Sequence, residues 1–398
     1  MQISERARNA SPSPTLAITS KVRMLMDQGV DVIGFGAGEP DFDTPDFIKD
    51  AAILALKNGY TKYTPSTGDA EIKQAIVDKL ATENGLNYKP AQVIVSCGAK
   101  HSLYNIFQAL LNDGDEVIIP APYWVSYPEQ VKLADGKPVF VETTPENDFM
   151  PTMEALEAAV SPRTKAMILN SPSNPTGGVA TYETIRDIAD FCVKHKILLV
   201  TDEIYEKLIY DGKKHVSPGS LNEEIFQYSI VVNGCSKAYA MTGWRIGYCA
   251  TPNMDLIGAM SKIQDQSTSN PTSIAQKAAA VALRGQHVEL DTMYTAFEKR
   301  RNLIVGLLRA IPGVTCNMPG GAFYAFPNIS GLLNKKFGDK TITTSDDLAN
   351  FLLEQVGVAV VPGSGFGADN YIRLSYATSE KKIEDGLARI AQAVAKLE

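Results

Sequence analysis

A lysine and an arginine stand eight residues apart in Ser236-Lys237-Ala-Tyr-Ala-Met-Thr-Gly243-Trp-Arg245-Ile-Gly247. An amine can condense with a carbonyl group to give a Schiff base, one of the few covalent roles open to lysine. A guanidinium can hold a phosphate through two parallel N–H bonds. Lys237 follows an apolar run that ends at Asn233, and in open α/β sheets ligands bind beyond the carboxyl ends of the strands. The competing expectation is a solvated loop lysine, the fate of most lysines.

Other positions offer complementary chemistry. Asp202 ends the run Ile197-Leu-Leu-Val-Thr-Asp202-Glu203-Ile-Tyr205. A carboxylate at the end of a buried strand is costly without a cationic partner, and a protonated ring nitrogen is one such partner. The alternative is a cap on a following helix. Tyr205, three residues on, can reach the same ligand. Asn170-Ser-Pro-Ser-Asn174-Pro175-Thr-Gly177-Gly178 predicts a rigid turn after a strand. There Asn174 can donate its amide to an oxyanion, or merely shape the loop. Ser96-Cys97-Gly98-Ala99-Lys100 is a small-residue turn before a helical pattern, where free N–H groups suit an anion. Trp124, one of two tryptophans, either stacks on a flat ligand or fills core. Arg373, inside the apolar run Tyr371-Ile-Arg373-Leu-Ser, must be buried and paired, with a substrate carboxylate or in a structural ion pair.

Several classes are excluded. His101, His195, His215 and His287 show no metal-ligand spacing, so no metal is expected. Gly363-Ser-Gly365-Phe-Gly367 lacks dinucleotide spacing, and no Gly-x-Ser-x-Gly elbow occurs. A net charge of -7 over 398 residues, without a basic cluster, gives no footprint for nucleic acid. Five scattered cysteines without a C-x-x-C pair fit a reducing compartment. No secretory signal and no membrane-spanning run is evident. These features predict a cytoplasmic protein.

The elements that must position these residues are legible as patterns. Continuous apolar runs at Val93 to Val95, Glu116 to Pro120, Pro138 to Glu142, Ala166 to Asn170, Ile197 to Asp202, Ser229 to Asn233 and Arg245 to Ala250 predict strands buried on both faces of a largely parallel sheet. Helical patterns such as Thr181 to His195 lie between them. The last run follows its predecessor too closely for a helical crossover, so it is predicted antiparallel. Long helical patterns then run from about Asn253 to Arg284 and from His287 to Ile311, the second stopped by Pro312-Gly313. Short strands at Ala322 to Phe326, Val358 to Val361 and Tyr371 to Ser375, with helices at Ser345 to Gln355 and Glu380 to Leu397, predict a smaller α+β domain. The segment before Pro45 has no core of its own and is expected to pack on that domain.

Taken in order, Gly36-Ala-Gly38-Glu39-Pro40, Tyr63-Thr-Pro65, Asn174-Pro175, Asp202-Glu-Ile-Tyr205, Ser236-Lys237 with Gly243-Trp-Arg245-Ile-Gly247, and Arg373-Leu-Ser-Tyr resemble the fold-type I, class I/II aminotransferases. Gly38-Glu-Pro-Asp-Phe-Asp-Thr-Pro45, Pro122-Tyr-Trp-Val-Ser-Tyr-Pro128 and Met241-Thr-Gly-Trp-Arg-Ile-Gly247 are most similar to the bacterial aspartate aminotransferase subgroup I-beta, which includes members acting on prephenate. The resemblance implies a three-layer large domain over residues 46–286, built on a mostly parallel seven-stranded sheet. A smaller α+β domain would comprise residues 11–45 and 287–398. It implies pyridoxal 5'-phosphate as cofactor, amino acid and 2-oxo acid as substrates, and a homodimer. Lys237 would carry the cofactor as an imine and move protons. Asp202 would face the pyridine nitrogen, Tyr205 and Asn174 the ring oxygen, and Trp124 the ring. Gly98, Ala99, Ser236 and Arg245 would hold the phosphate with Tyr63 from the neighbouring subunit. Arg373, Asn174 and the Gly38 backbone would bind the substrate α-carboxylate, with Trp124 beside it. The best-known aspartate aminotransferases bring a partner-subunit arginine to the distal carboxylate, but Gln264 to Thr268 contain none. In the similar subgroup a lysine takes that role, here Lys100, helped by hydroxyls at Ser13 and Thr15. The implied reaction is L-aspartate with 2-oxoglutarate, in ping-pong order. Prephenate or aromatic transamination, a β-lyase, and a non-catalytic regulator are the alternatives on the same scaffold.

Overall fold

The computed structural model describes residues 2–284 and 288–398. Seven strands form the central sheet: β1 (Val93–Ser96), β2 (Glu116–Ala121), β3 (Lys137–Glu142), β4 (Thr164–Asn170), β5 (Leu198–Asp202), β6 (Ser229–Gly234) and β7 (Gly247–Ala250). Their spatial order is β1-β7-β6-β5-β4-β2-β3. Only β7 runs against its neighbours, pairing antiparallel with both β6 and β1, as the short connection predicts. Its strand begins at Gly247 rather than Arg245, because Arg245 has a left-handed backbone with φ 56°.

Alternate residues of one strand face opposite layers. Val117 and Ile119 join a cluster with Leu103, Ile106 and Phe107 of the helix Ala99–Leu110. Ile118 joins another with Ile185, Ile188 and Cys192 of the helix Tyr182–His195. Both faces are therefore covered, which explains why the strands read as continuous apolar runs.

Beyond this sheet, the helix Val288–Arg309 leads through Gly313 (φ 83°) into a three-stranded antiparallel sheet. There Ile372–Ser375 lies between Val361–Pro362 and Tyr324–Ala325. Ile33–Gly34 pairs in parallel with Val358–Ala359. The expected helix start at His287 lies outside the described residues.

Two expectations are corrected. The single pattern from Asn253 to Arg284 is two helices, Met254–Ser267 and Ser273–Leu283. Ser269 takes a positive φ between them, and Pro271 has no N–H to continue the helical ladder. The run Val358 to Val361 is split, one half pairing with Ile33–Gly34 and the other with the Arg373 strand. Among the described residues, no helix is long and apolar enough to cross a membrane.

Candidate active site

The parallel strands end on one edge of the sheet, and their carboxyl ends deliver the chemistry. Asn170 ends β4 directly opposite Asp202, which ends β5. Lys237 lies three residues past β6. A cavity of about 350 Å³ opens at this edge. Lys237, Asp202, Tyr205, Asn174, Ser236 and Arg245 line it, as do Ala99, Lys100, Trp124, Gly38, Arg373, Ser13 and Thr15. Gly98 does not line it, but packs against Arg245, which does. Tyr63 is apart from it and 92% exposed.

Lys237 donates to the Gly38 carbonyl and lies 5.9 Å from the ring centre of Tyr205. Burial pushes its ammonium down to about 8, against the attraction of Glu39 and with help from Arg373 and Arg245. Burial likewise pushes the Asp202 carboxyl up to about 6. The hydroxyl of Tyr127 opposes that, donating to Asp202 Oδ2 at 2.7 Å. Ile204 N–H donates to Oδ1 at 3.3 Å, so Asp202 caps a local turn rather than a helix. Asn170 ties the two strand ends together: its Nδ2 donates to the Asp202 carbonyl at 2.8 Å and its Oδ1 accepts from Asn174 N–H at 2.8 Å. The two Pro steps after it, Ser171-Pro172 and Asn174-Pro175, are cis.

Arg373 is 1% exposed. Its guanidinium donates to Asn174 Oδ1 at 2.8 Å and to the Gly36 carbonyl at 3.0 Å, while Nε has no hydrogen-bond partner among the described residues. It lies 4.4 Å from the ring centre of Tyr324. Among the described residues it forms no ion pair, so the structural salt bridge anticipated as one alternative is absent. Tyr324 and Tyr205 share a 2.8 Å hydrogen bond between hydroxyls, and burial pushes the Tyr205 hydroxyl well up.

An anion cradle forms where β1 meets the helix Ala99–Leu110. Gly98 has φ 91°, and a Cβ there would stand 2.5 Å from the Arg245 guanidinium. A Cβ on Gly247 would stand 2.1 Å from the Ala99 nitrogen. Both glycines are therefore required for β7 and Arg245 to approach the helix start. Arg245 donates to the carbonyls of Thr242 and Cys97 at 2.9 and 3.3 Å; no carboxylate among the described residues neutralises it. Positive charge, free helix N–H groups and small residues together suit a phosphate. Lys100 lies 4.8 Å from the Trp124 ring centre, and burial, then Arg245, lowers its ammonium.

Sequence reasoning missed Tyr127, Asn170 and Tyr324. Tyr127 carried a signal, because it stands one helical turn after Trp124. Asn170 carried one too, as a polar residue ending an apolar strand. Tyr324 gave none, since its contact with Tyr205 spans 119 positions.

Comparison with known proteins agrees with this geometry. A family model, aminotransferase class I and II, matches residues 30–390. An aspartate aminotransferase of Geobacillus stearothermophilus is 53% identical over 390 residues, 98% of each chain. One from Bacillus subtilis is 50% identical over 396 residues, 100% of each. An aspartate/prephenate aminotransferase of Cereibacter sphaeroides is 50% identical over 390 residues, covering 98% of this chain and 97% of its own. Among solved structures, an aspartate aminotransferase from Rhizobium meliloti superposes with a TM-score of 0.96 at 44% identity, covering 100% of both chains. The aspartate aminotransferase of Thermus thermophilus with maleate gives 0.93 at 44% identity, over 99% of this chain and 100% of its own.

Proposed function

The chain belongs to the class I and II aminotransferases, and from that premise we propose that it moves the amino group of L-aspartate to 2-oxoglutarate with pyridoxal 5'-phosphate held on Lys237. The observation that carries this reading is the pairing, across one cavity, of a half-buried lysine pushed down to about 8 with a buried aspartate pushed up to about 6. The residues present fit the cofactor. Asp202 is a buried carboxylate that forms no ion pair among the described residues, suited to a pyridinium. The glycine-lined cradle at Arg245 holds no paired acid among the described residues, which suits it to a phosphate.

Bound there, the cofactor supplies an aldehyde that condenses with amines and a ring that draws electrons from the substrate Cα. The chain's own residues do the rest. Asp202 supplies a fixed negative charge opposite the ring nitrogen. Tyr205 O–H and the Asn174 amide offer donors to the ring oxygen, and Trp124 offers a flat face. Gly98, Ala99, Ser236 and Arg245 would hold the phosphate. Arg373 and Asn174, with the Gly38 backbone, hold the α-carboxylate. The Lys237 amine would take the proton from the substrate Cα and return it as a general acid. A lowered ammonium is what that alternation requires. Lys100, Ser13 and Thr15 bind the distal carboxylate.

Tyr63 does not line its own chain's cavity and is exposed, as are the apolar Ile53, Leu54 and Leu56 on the helix Asp46–Lys57. This supports a homodimer in which Tyr63 completes the partner's phosphate site. The fold supports a division into residues 46–286 and a smaller unit of 11–45 with 287–398, whose junction touches residues outside those described. Five free thiols support a cytoplasmic location.

The test is the absorbance of the purified protein with and without aspartate, followed by turnover with 2-oxoglutarate. Loss of the visible band on adding aspartate, and its return with the oxo acid, is expected. A band unchanged by aspartate but bleached by an aromatic donor would redirect the substrate assignment, and prephenate is the acceptor to try next.

A further inference from the structure

Gln264 is 0% exposed, and its side-chain amide makes four hydrogen bonds. Nε2 donates to the carbonyls of Ser66 at 2.6 Å and Val95 at 2.8 Å. Oε1 accepts from the Ser96 hydroxyl and from Asn105 Nδ2, both at 3.0 Å. That uses both N–H donors and both acceptor positions of the amide. A buried amide is costly unless satisfied, and when satisfied it fixes one register among its partners.

Its partners are not a random sample of the fold. Val95 and Ser96 end β1 and lead into Gly98 and Ala99. Asn105 lies on the helix that begins at Ala99. Ser66 lies in the loop that carries Tyr63. Gln276, 1% exposed, grips the same loop from the next helix: Oε1 accepts from Asp69 N–H at 2.8 Å, and Nε2 donates to Thr64 Oγ1 at 3.0 Å. Val95 N–H donates to the Thr67 carbonyl at 2.9 Å. Gly68 presses on β1 so closely that a Cβ would stand 2.5 Å from the Val95 side chain. The Tyr63 loop is thus stitched to the end of β1, and among the described residues Gln264 alone hydrogen-bonds through its side chain to the loop, the strand end and the helix. It does not line the cavity.

We propose that Gln264 is a positioning residue for phosphate recognition, which sets the chain's own Ser96–Ala99 turn in register with the loop that carries Tyr63. The proposal rests on the cofactor reading above. Because the turn serves one site and Tyr63 serves the partner's, this buried amide ties the phosphate contacts of both sites to one arrangement. Removing its bonds loosens the phosphate cradle and leaves Lys237, Asp202 and Arg373 in place.

The test uses the cofactor-free full-length protein with Gln264→Met, which keeps the length and loses every bond, and Ser96→Ala, which removes one bond should the first variant fail to fold. Affinity is measured for pyridoxal phosphate and for pyridoxal, which lacks the phosphate. Gln264→Met is expected to weaken pyridoxal phosphate about tenfold and to leave pyridoxal within about twofold of wild type, with Ser96→Ala shifting the ratio the same way by less. An unchanged ratio of the two affinities, whatever happens to the melting temperature, overturns the proposal. A wild-type protein that does not prefer the phosphorylated form sinks the cofactor reading itself, which is a different result.

Discussion

Arg373 donates to the side-chain oxygen of Asn174 at 2.8 Å, from a strand 199 positions away. Arginine has no acceptor, so it must meet the amide oxygen of asparagine. That leaves the Asn174 NH₂ free to serve a ligand oxygen. One contact therefore orients two groups that the proposed mechanism needs.

Arg373→Lys tests the fork. A lysine keeps the charge, but its single nitrogen cannot reproduce the planar fork that meets the Asn174 oxygen and the Gly36 carbonyl while presenting two parallel N–H bonds to a carboxylate. Losing one charge-assisted bond costs about 1.5–3 kcal/mol, so KM for aspartate should rise roughly ten- to a hundredfold with a smaller change in kcat. Steady-state kinetics check it; an equal fall in kcat with KM unmoved would contradict a binding role.

Asp202→Asn separates function from stability. The carboxyl is raised from 3.8 to about 6 by burial, opposed by Tyr127. An acid raised on folding ionises at a cost to the fold. That cost is absent below about 4 and complete above about 6, so the cofactor-free protein should lose stability across that window. Asp202→Asn should flatten this slope in thermal melts. It should also weaken pyridoxal phosphate binding and cut kcat/KM by about 10²–10³-fold, as expected when one partner of a buried ion pair is removed. Tyr127→Phe deletes the bond that favours the ionised form, so the acid limb of cofactor affinity should move to higher pH; a limb that stays in place would refute the link.

Lys237→Met should stabilise the empty protein. Burial lowers the ammonium from 10.5 to about 8. Holding the charged form costs stability in full below about 8, and the cost fades as pH rises toward 10.5. The variant should therefore melt about 2–5 °C higher near neutral pH, with the gap closing at high pH. A gap that widens with pH would reverse the assignment.

Lys100→Met addresses specificity. A flexible ammonium beside Trp124 suits a distal carboxylate without the exactness of a guanidinium fork. KM for aspartate should rise about tenfold, the worth of one charge-assisted bond, and KM for an aromatic donor should change little. Parallel rises for both donors would show that Lys100 acts through general packing.

The strand ends were legible before the fold because chemistry there interrupts apolar runs. Asp202, Lys237 and Arg373 each stand against such a run, and a charge in that setting has to be explained. The antiparallel β7 was legible from the few residues available for a crossover. What the sequence hid depends on distant partners. The place of Tyr127 after Trp124 hints at the site, but its partner, Asp202, lies 75 positions on, and nothing local to Gln264 distinguishes it from an exposed helical glutamine. The break at Thr268–Thr272 was hidden for another reason: the apolar pattern resumes after Pro271, so periodicity alone joined two helices.

The most direct measurement is borohydride reduction of the protein incubated with stoichiometric pyridoxal phosphate, followed by peptide mass spectrometry. One phosphopyridoxyl group per chain on Lys237, suppressed when aspartate is added first, is the outcome this account requires. Label scattered over surface lysines, or equal labelling in Lys237→Ala, would contradict it.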